Sequence, residues 1–221
     1  MTDALKKLVS PKGELRWVTI QGDGVENMSG RMQYKADVVL DPSNNEVHKK
    51  FIASIDKFWA NNKPKGFKKK PKSLGYYFCD KVLDKDGEPT KNDEDEFIYN
   101  NEGKVSVSFK TSTTYPDGKT KKVKTRNAKG SEVNLGESLI GNGSAGYIAG
   151  AMDIYAVKNP KGGLQSAGVT FYLDEIKLTK LEVFEGSDPF GESNDEDEGG
   201  WTGEDEDAFV GTNEEDAKPR L

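Results

Sequence analysis

The chain reads as an all-β protein: a small antiparallel barrel of about five main strands, with one helix, long loops and an acidic C-terminal segment. Three observations predict this. Strand-length segments with period-two alternation recur from residue 14 to residue 184. Only one segment carries the periodicity and capping residues of a helix. No strand–helix–strand alternation of the kind that builds a parallel sheet is present.

The elements follow in order. Residues 14–22 (ELRWVTIQG) alternate Leu15, Trp17 or Val18, and Ile20 before a Gly22-Asp23-Gly24 turn. Residues 31–40 place Met32, Tyr34, Ala36 and Val38 at period two. Asp41-Pro42-Ser43-Asn44-Asn45-Glu46 then holds a capping box, with Ser43 at the N-cap and Glu46 three places on. Val47, Phe51, Ile55 and Phe58 or Trp59 recur at helical spacing, Lys49, Lys50 and Lys57 face solvent, and Asn61-Asn62-Lys63-Pro64 stops the helix. The stretch 74–100 fits no single element and reads as an elaborated connection with a short hairpin. In 104–115, Val105, Val107 and Phe109 share one face. Tyr115-Pro116-Asp117-Gly118 is a tight turn, from which 119–126 should return antiparallel. Residues 147–157 and 168–184 supply two more long strands.

Charge divides the chain in two. The 221 residues carry 32 Lys plus Arg against 38 Asp plus Glu. Residues 1–184 hold 24 acids and 30 bases, whereas 185–221 hold fourteen acids against Lys218 and Arg220. The first part is the expected folded domain. The second has seven apolar residues in 37, too few to offset its ordering entropy, so disorder in the free protein is expected. A basic body with an acidic tail points to a nucleic-acid partner.

The same composition excludes other classes. One Cys79 and one His48 allow no internal disulfide, no Cys/His zinc site and no Ser/His/Asp or Cys/His catalytic set. No apolar run suits a bilayer and the N-terminus has no signal-peptide stretch. A cytosolic, non-enzymatic protein without cofactor or membrane contact is the expectation. Gly141-Asn142-Gly143-Ser144-Ala145-Gly146 matches G-x-G-x-x-G, but a strand pattern follows where a dinucleotide site needs a helix. Asp84, Asp86 and the run Asp93-Glu94-Asp95-Glu96 read as solvated turn residues rather than a Mg²⁺ site.

Two features carry the binding hypothesis. Residues 63–72 (KPKGFKKKPK) contain six lysines and no acid. Lys65, Lys68, Lys69 and Lys70 around Phe67 form a phosphate clamp, each contact on a single strand adding about −0.7 to the salt slope. Aromatics also interleave with bases along the strands: Trp17, Tyr34, Tyr76, Tyr77, Tyr115, Tyr147, Tyr155 and Tyr172 beside Arg16, Lys35, Lys81, Lys119 and Lys158. Stacking on such rings is worth about 1–3 kcal/mol per base, almost regardless of sequence. The acidic tail, tethered at millimolar effective concentration, would compete with DNA for the basic groove.

Several of these pieces occur in a familiar order. Arg31-x-x-Tyr34-Lys35 leads into a strand, a helix follows Asp41-Pro42, and Lys69-Lys70-Pro71 comes next. Gly103 then opens the 105–109 strand, followed by Ile140-Gly141-Asn142-Gly143-Ser144. Leu173-x-Glu175 and Leu181-Glu182-x-Phe184 end the body, directly before the acidic segment. This set resembles the single-stranded DNA-binding proteins of T-odd short-tailed bacteriophages. The resemblance implies an OB-fold that binds single strands without sequence preference, in phage replication, recombination and repair inside the bacterial cytoplasm. It implies Arg31 and Tyr155 as DNA-contacting positions, with Tyr34 and Lys35 adjacent; Lys158 completes the predicted set. It also implies a tail that promotes homodimers and contacts the phage DNA polymerase and helicase–primase. The tail departs from the family pattern by ending Lys218-Pro219-Arg220-Leu221 rather than in an aromatic residue. Phe209, after Asp205-Glu206-Asp207-Ala208, is therefore the expected docking residue. The 74–100 stretch is larger than usual. Duplex DNA remains open as an alternative partner, and a nuclease built on Asp84, Asp86 and the 93–96 acids as a weaker one.

Overall fold

The computed structural model describes residues 5–27, 29–136 and 138–184. The expected disorder of 185–221, and the docking residues Asp205, Glu206, Asp207 and Phe209, lie outside the described residues.

The chain runs β1 (Lys6–Val9), β2 (Gly13–Thr19), β3 (Val25–Glu26), β4 (Met32–Leu40), α1 (Glu46–Asn62), β5 (Tyr76–Phe78) and β6 (Val105–Ser112). It continues through β7 (Lys124–Arg126), β8 (Leu139–Ile140), β9 (Ala145–Lys158), β10 (Leu164–Lys180) and β11 (Val183–Phe184). The pairings β2–β4, β4–β6, β6–β10, β10–β9 and β9–β2 form a closed circuit of five strands. The expectation of an all-antiparallel barrel needs correction. β10 runs parallel to β6, through Phe171 opposite Phe109 and Tyr172 opposite Lys110, and parallel to β7. The other links of the circuit are antiparallel. The sheet is therefore mixed. Alternation in 119–126 could not reveal this: Lys119, Thr120 and Lys121 return to residues 113–115, and Lys124–Arg126 crosses to β10.

Inside the circuit, Leu15, Ala36, Val38, Val107, Phe109, Ile148, Phe171 and Ile176 are essentially fully buried. Phe109 and Phe171 meet with ring centroids 5.0 Å apart, across the parallel pair. Each of these side chains other than Ala36 contributes about 1.5–3 kcal/mol on burial. Helix α1 lays Phe51, Ile52, Ile55, Phe58 and Trp59 against this core.

The helix start also differs from the capping-box reading. Asn45 is the N-cap, its side-chain oxygen accepting from the backbone N–H of Val47 and His48. Ser43 instead donates its hydroxyl to the carbonyl of Glu102, and Val47 faces solvent. Either Ser or Asn can cap a helix, and the contact with the 80–103 connection decides between them. His48 acts as a clasp. Its Nδ1 accepts from the Asp41 N–H at 2.9 Å and its Nε2 lies 3.0 Å from the Lys12 carbonyl.

One five-residue turn recurs. At 27–31, 84–88, 92–96, 127–131 and 159–163 an Asn or Asp side chain accepts backbone N–H groups two or four places on. Its fourth residue has positive φ, and is Gly at four sites and Asp95 (φ 62°) at the other. Gly populates this region without a Cβ penalty, and Asp is among the few residues that tolerate it. Three short arms therefore fill 80–103: Val82, Thr90 and Ile98 exchange backbone hydrogen bonds in a ring. The carboxylate of Asp84 is engaged in its turn in this way. Among the described residues no three His, Cys, Asp or Glu side chains converge as a metal site, and no helix is long and apolar enough to cross a membrane.

Candidate nucleic-acid interface

Parity along the strands separates an inner from an outer face. On β4, Tyr34, Ala36, Val38 and Leu40 point inward; Gln33, Lys35 and Asp37 point outward. On β6, Val105, Val107 and Phe109 point inward, so Ser108 and Lys110 face outward. Register then lines up a row across four strands: Thr19 opposite Lys35, Lys35 opposite Lys110, and Lys110 beside Tyr172 of β10. Like charges directly opposite one another on a sheet are destabilising unless something neutralises them. Lys35 lies 3.5 Å from the Asp37 carboxylate. Lys110 is exposed and has no ion-pair partner among the described residues.

Asp37 is completely buried on this outer side because Tyr77 of β5 reaches over it. The Tyr77 hydroxyl donates to Asp37 at 2.8 Å, Ser108 donates at 2.8 Å and Ser106 at 3.3 Å. Burial, with the Asp37 carboxylate adding, pushes the Tyr77 phenol up to about 12. A neutral hydroxyl therefore holds Asp37, and Asp37 in turn orients the Lys35 ammonium.

Trp17 stands at the edge of this row. The pairing of β2 with β4 slips between Arg16 and Thr19, and Trp17 in that bulge has φ 53°, an outlier for a bulky side chain. Its N–H is held by the Asn142 side chain at 3.0 Å, while its ring is 60% exposed. With Thr19, Asn27, Gln33, Lys35 and Lys110 it borders a hollow of about 470 Å³. Strained backbone that presents a large exposed aromatic ring is a feature that concentrates at functional sites. This is also the use found for the glycine-rich 141–146 segment: a tight turn whose Asn142 fixes Trp17.

The lysine loop reaches the same surface from α1. Phe67 anchors it, 7% exposed and edge-on to Trp59 at 6.0 Å. Lys65, Lys68, Lys69 and Lys70 are exposed. The loop ends against β10, where Lys72 N–H donates to Ala167 and Val169 N–H donates to Ser73. Gly168 lies between them, directly opposite Tyr155 on β9. A Cβ at Gly168 would strike the Ser73 carbonyl and come within 2.8 Å of the Tyr155 ring. The missing side chain lets the loop, β10 and the ring of Tyr155 approach one another. Tyr155 stays half-buried there, and burial raises its phenol pKa.

The predicted residues therefore divide. Lys35, Tyr155 and the lysines of 63–72 lie on or beside one outer face. Arg31, exposed at the base of the 27–31 turn, and Lys158, exposed at the end of β9, border the loops that flank it. Tyr34 and Phe67 are corrections. Tyr34 is 3% exposed, inside the barrel, with its hydroxyl on the Gly22 carbonyl at 3.1 Å, so its ring offers no face to a base. Phe67 is likewise an anchor rather than a stacking ring. Trp17, Tyr77 and Tyr172, three of the interleaved aromatics, belong to the face, and so does Lys110, which the sequence reading does not name. Counting strand parity outward from the buried Phe109 would have found Lys110. The bulge that exposes Trp17 has no sequence signal.

No protein-family description matches the chain, and no curated protein matches it in sequence. Solved structures do match in fold. The crystal structure of gp2.5, a single-stranded DNA binding protein encoded by bacteriophage T7, is 17% identical with a TM-score of 0.55, over 84% of this chain and 97% of that one. The single-stranded DNA-binding protein from bacteriophage Enc34, in complex with single-stranded DNA, is 13% identical with a TM-score of 0.49, over 83% of this chain and 99% of that one. The architecture of this chain, mostly strands with one helix and a mixed sheet, is that of the phage T7 protein across nearly its whole length.

Proposed function

We propose that this chain is a non-enzymatic, sequence-independent single-stranded DNA-binding protein of a bacteriophage. It would act in the host cytoplasm during DNA replication, recombination and repair. The observation that carries the reading is the outer face on which Trp17, Lys35, Lys110 and Tyr172 line up beside Tyr155 and the lysine loop. Rings there can stack on bases while ammonium groups meet phosphates, and neither interaction reads sequence. Two facts support an OB-fold for the barrel. The circuit order β2-β4-β6-β10-β9 closes with one parallel pair. The basic face falls on its second and third strands, flanked by the β2–β4 and β9–β10 loops, which is where OB-folds take oligonucleotides.

Residues 1–184 are the binding domain in this reading and 185–221 a regulatory tail. The tail's fourteen acids compete with DNA for the basic face. Asp205, Glu206, Asp207 and Phe209 recruit replication proteins, the phage polymerase and helicase–primase, and the tail favours a homodimer.

A competition titration tests both parts. Oligo-dT should displace a labelled strand far better than duplex of equal length, and a chain ending at Phe184 should bind more tightly than the full chain, most clearly at low salt. Equal competition by duplex would make the protein a general DNA binder. Equal affinity of the two chain lengths at low salt would remove the tail's competing role.

A further inference from the structure

A second basic surface lies outside the site described above. Between residues 115 and 135 six basic side chains stand against Asp117 and Glu132. Lys119 is paired with Asp117 at 3.0 Å and Arg126 with Glu175 at 2.5 Å. Lys121 donates to the Thr111 hydroxyl at 2.7 Å and lies 5.3 Å from the centre of the Tyr115 ring. Lys122, Lys124 and Lys129 remain exposed, with no ion-pair partner among the described residues. Lys122 and Lys124 border a cleft of about 910 Å³, whose other wall includes Ile20, Gly22 and Tyr34. Tyr115 presents a half-exposed ring at this end of the molecule. The lobe thus repeats the chemistry of the first site, free ammonium groups beside an aromatic face.

Its position relative to the first site follows from one strand. Along a single edge, β10 receives the end of the lysine loop at Ala167–Val169 and β6 at Phe171 and Tyr172. β7 follows at Glu175, Ile176 and Lys177. Gly168, Thr170 and Tyr172 alternate with the buried Val169, Phe171 and Leu173; a bulge between Leu173 and Glu175 takes up the exposed Asp174, after which Glu175 and Lys177 flank the buried Ile176, so the three stations share the outer side. Eight residues separate Gly168 from Ile176, about 26 Å at 3.3 Å per residue. At 3.4 Å per nucleotide that distance is about eight nucleotides of stacked strand. Two acids lie on this path: Glu175 is covered by the Arg126 guanidinium, and Asp174, exposed beside it, has no ion-pair partner among the described residues.

We propose that Lys122, Lys124 and Lys129, with Tyr115, form a second phosphodiester-binding station. A bound single strand reaches it after passing Tyr155, Tyr172 and Lys110. This rests on the reading of the chain as a single-stranded DNA-binding protein and adds the direction and minimum length of its footprint. An acidic polypeptide, such as the chain's own tail, is the competing occupant; the exposed Tyr115 ring favours bases.

The test uses the full chain with Lys122, Lys124 and Lys129 all changed to Ala, and a second variant with all three changed to Arg. Affinity for dT5 and dT20 is measured by fluorescence anisotropy over a series of salt concentrations, and a urea melt verifies folding. A strand of five nucleotides reaches one station and twenty reach both. For dT20 the Ala variant should lose about two units of log–log salt slope, at about 0.7 per phosphate contact. That is roughly a hundredfold in affinity near 0.1 M salt. Binding of dT5 should stay within about twofold of the unmodified chain, and the Arg variant should retain the dT20 affinity. Unchanged dT20 binding, or an equal loss on dT5, overturns the second station. A gain in affinity assigns the lobe to the acidic segment and overturns it as well. Failure of the unmodified chain to bind either strand refutes the function itself, a result separable from the others.

Discussion

The lysine loop and the β4–β6 face present positive charge in opposite ways. In the loop, Lys65, Lys68, Lys69 and Lys70 project from chain that is fixed at only two places, Phe67 against Trp59 and Lys72–Ser73 against β10. On the face, Lys35 is held by Asp37, which is itself held by Tyr77 and Ser108, and Lys110 is set by strand register between Lys35 and Tyr172. Charge at the ends of long side chains on a loop can follow a phosphate over a wide range of positions. Charge on a sheet fixes where the strand must run. Under the proposed function the first would supply affinity, and the second, with its rings, the preference for unpaired bases.

Replacing Lys65, Lys68, Lys69 and Lys70 together by Ala should break the loop's side of this division most visibly. Four lost contacts at about 0.7 each remove roughly 2.8 from the salt slope, or two to three orders of magnitude in affinity near 0.1 M salt. The single-strand preference should survive. A slope that does not move in such a titration would show that these lysines only solubilise the loop.

A smaller effect is expected on the face. Trp17→Ala and Tyr155→Ala should each weaken oligo-dT by about 1–3 kcal/mol, roughly 5- to 150-fold, with the salt slope intact. The preference over duplex should narrow. Loss of slope without loss of preference would reverse the roles assigned to loop and face.

The smallest effect sharpens the boundary between them. Phe67→Leu keeps an apolar anchor against Trp59, so oligo-dT affinity should change by less than about twofold. A stacking ring would instead lose the full 1–3 kcal/mol or so. Anisotropy at one salt concentration distinguishes the two.

The legibility of the site follows the same line. Dense charge in 63–72 was plain, because six lysines without an acid need no tertiary context to be noticed. Tyr155 and Lys35 were found as members of an aromatic–basic alternation, but so was Tyr34, one residue from Lys35 and on the opposite side of the strand. Alternation states that neighbours differ; it does not state which of them is inside when tyrosine can occupy either side. The burial of Phe67 depends on Trp59, eight residues earlier on α1. Of the second basic lobe the sequence marks only Tyr115 and Lys119, because Thr and Val interrupt its other lysines, the usual appearance of a strand.

What the sequence determined by itself is the material held by local rules. Asn or Asp with Gly three places on marks most of the recurring turns, helical spacing marks α1, and charge separates a basic body from an acidic tail. The tertiary structure alone decided what depends on partners distant in sequence. The parallel docking of β10 on β6 and β7 turned an expected antiparallel barrel into a mixed one and brought three basic segments to one strand edge. The Trp17 bulge, held from Asn142, chose the ring that faces solvent. Hydrogen bonding along a strand is indifferent to which neighbour supplies it, so composition and period leave that choice open, and only packing around Phe109 and Phe171 closes it.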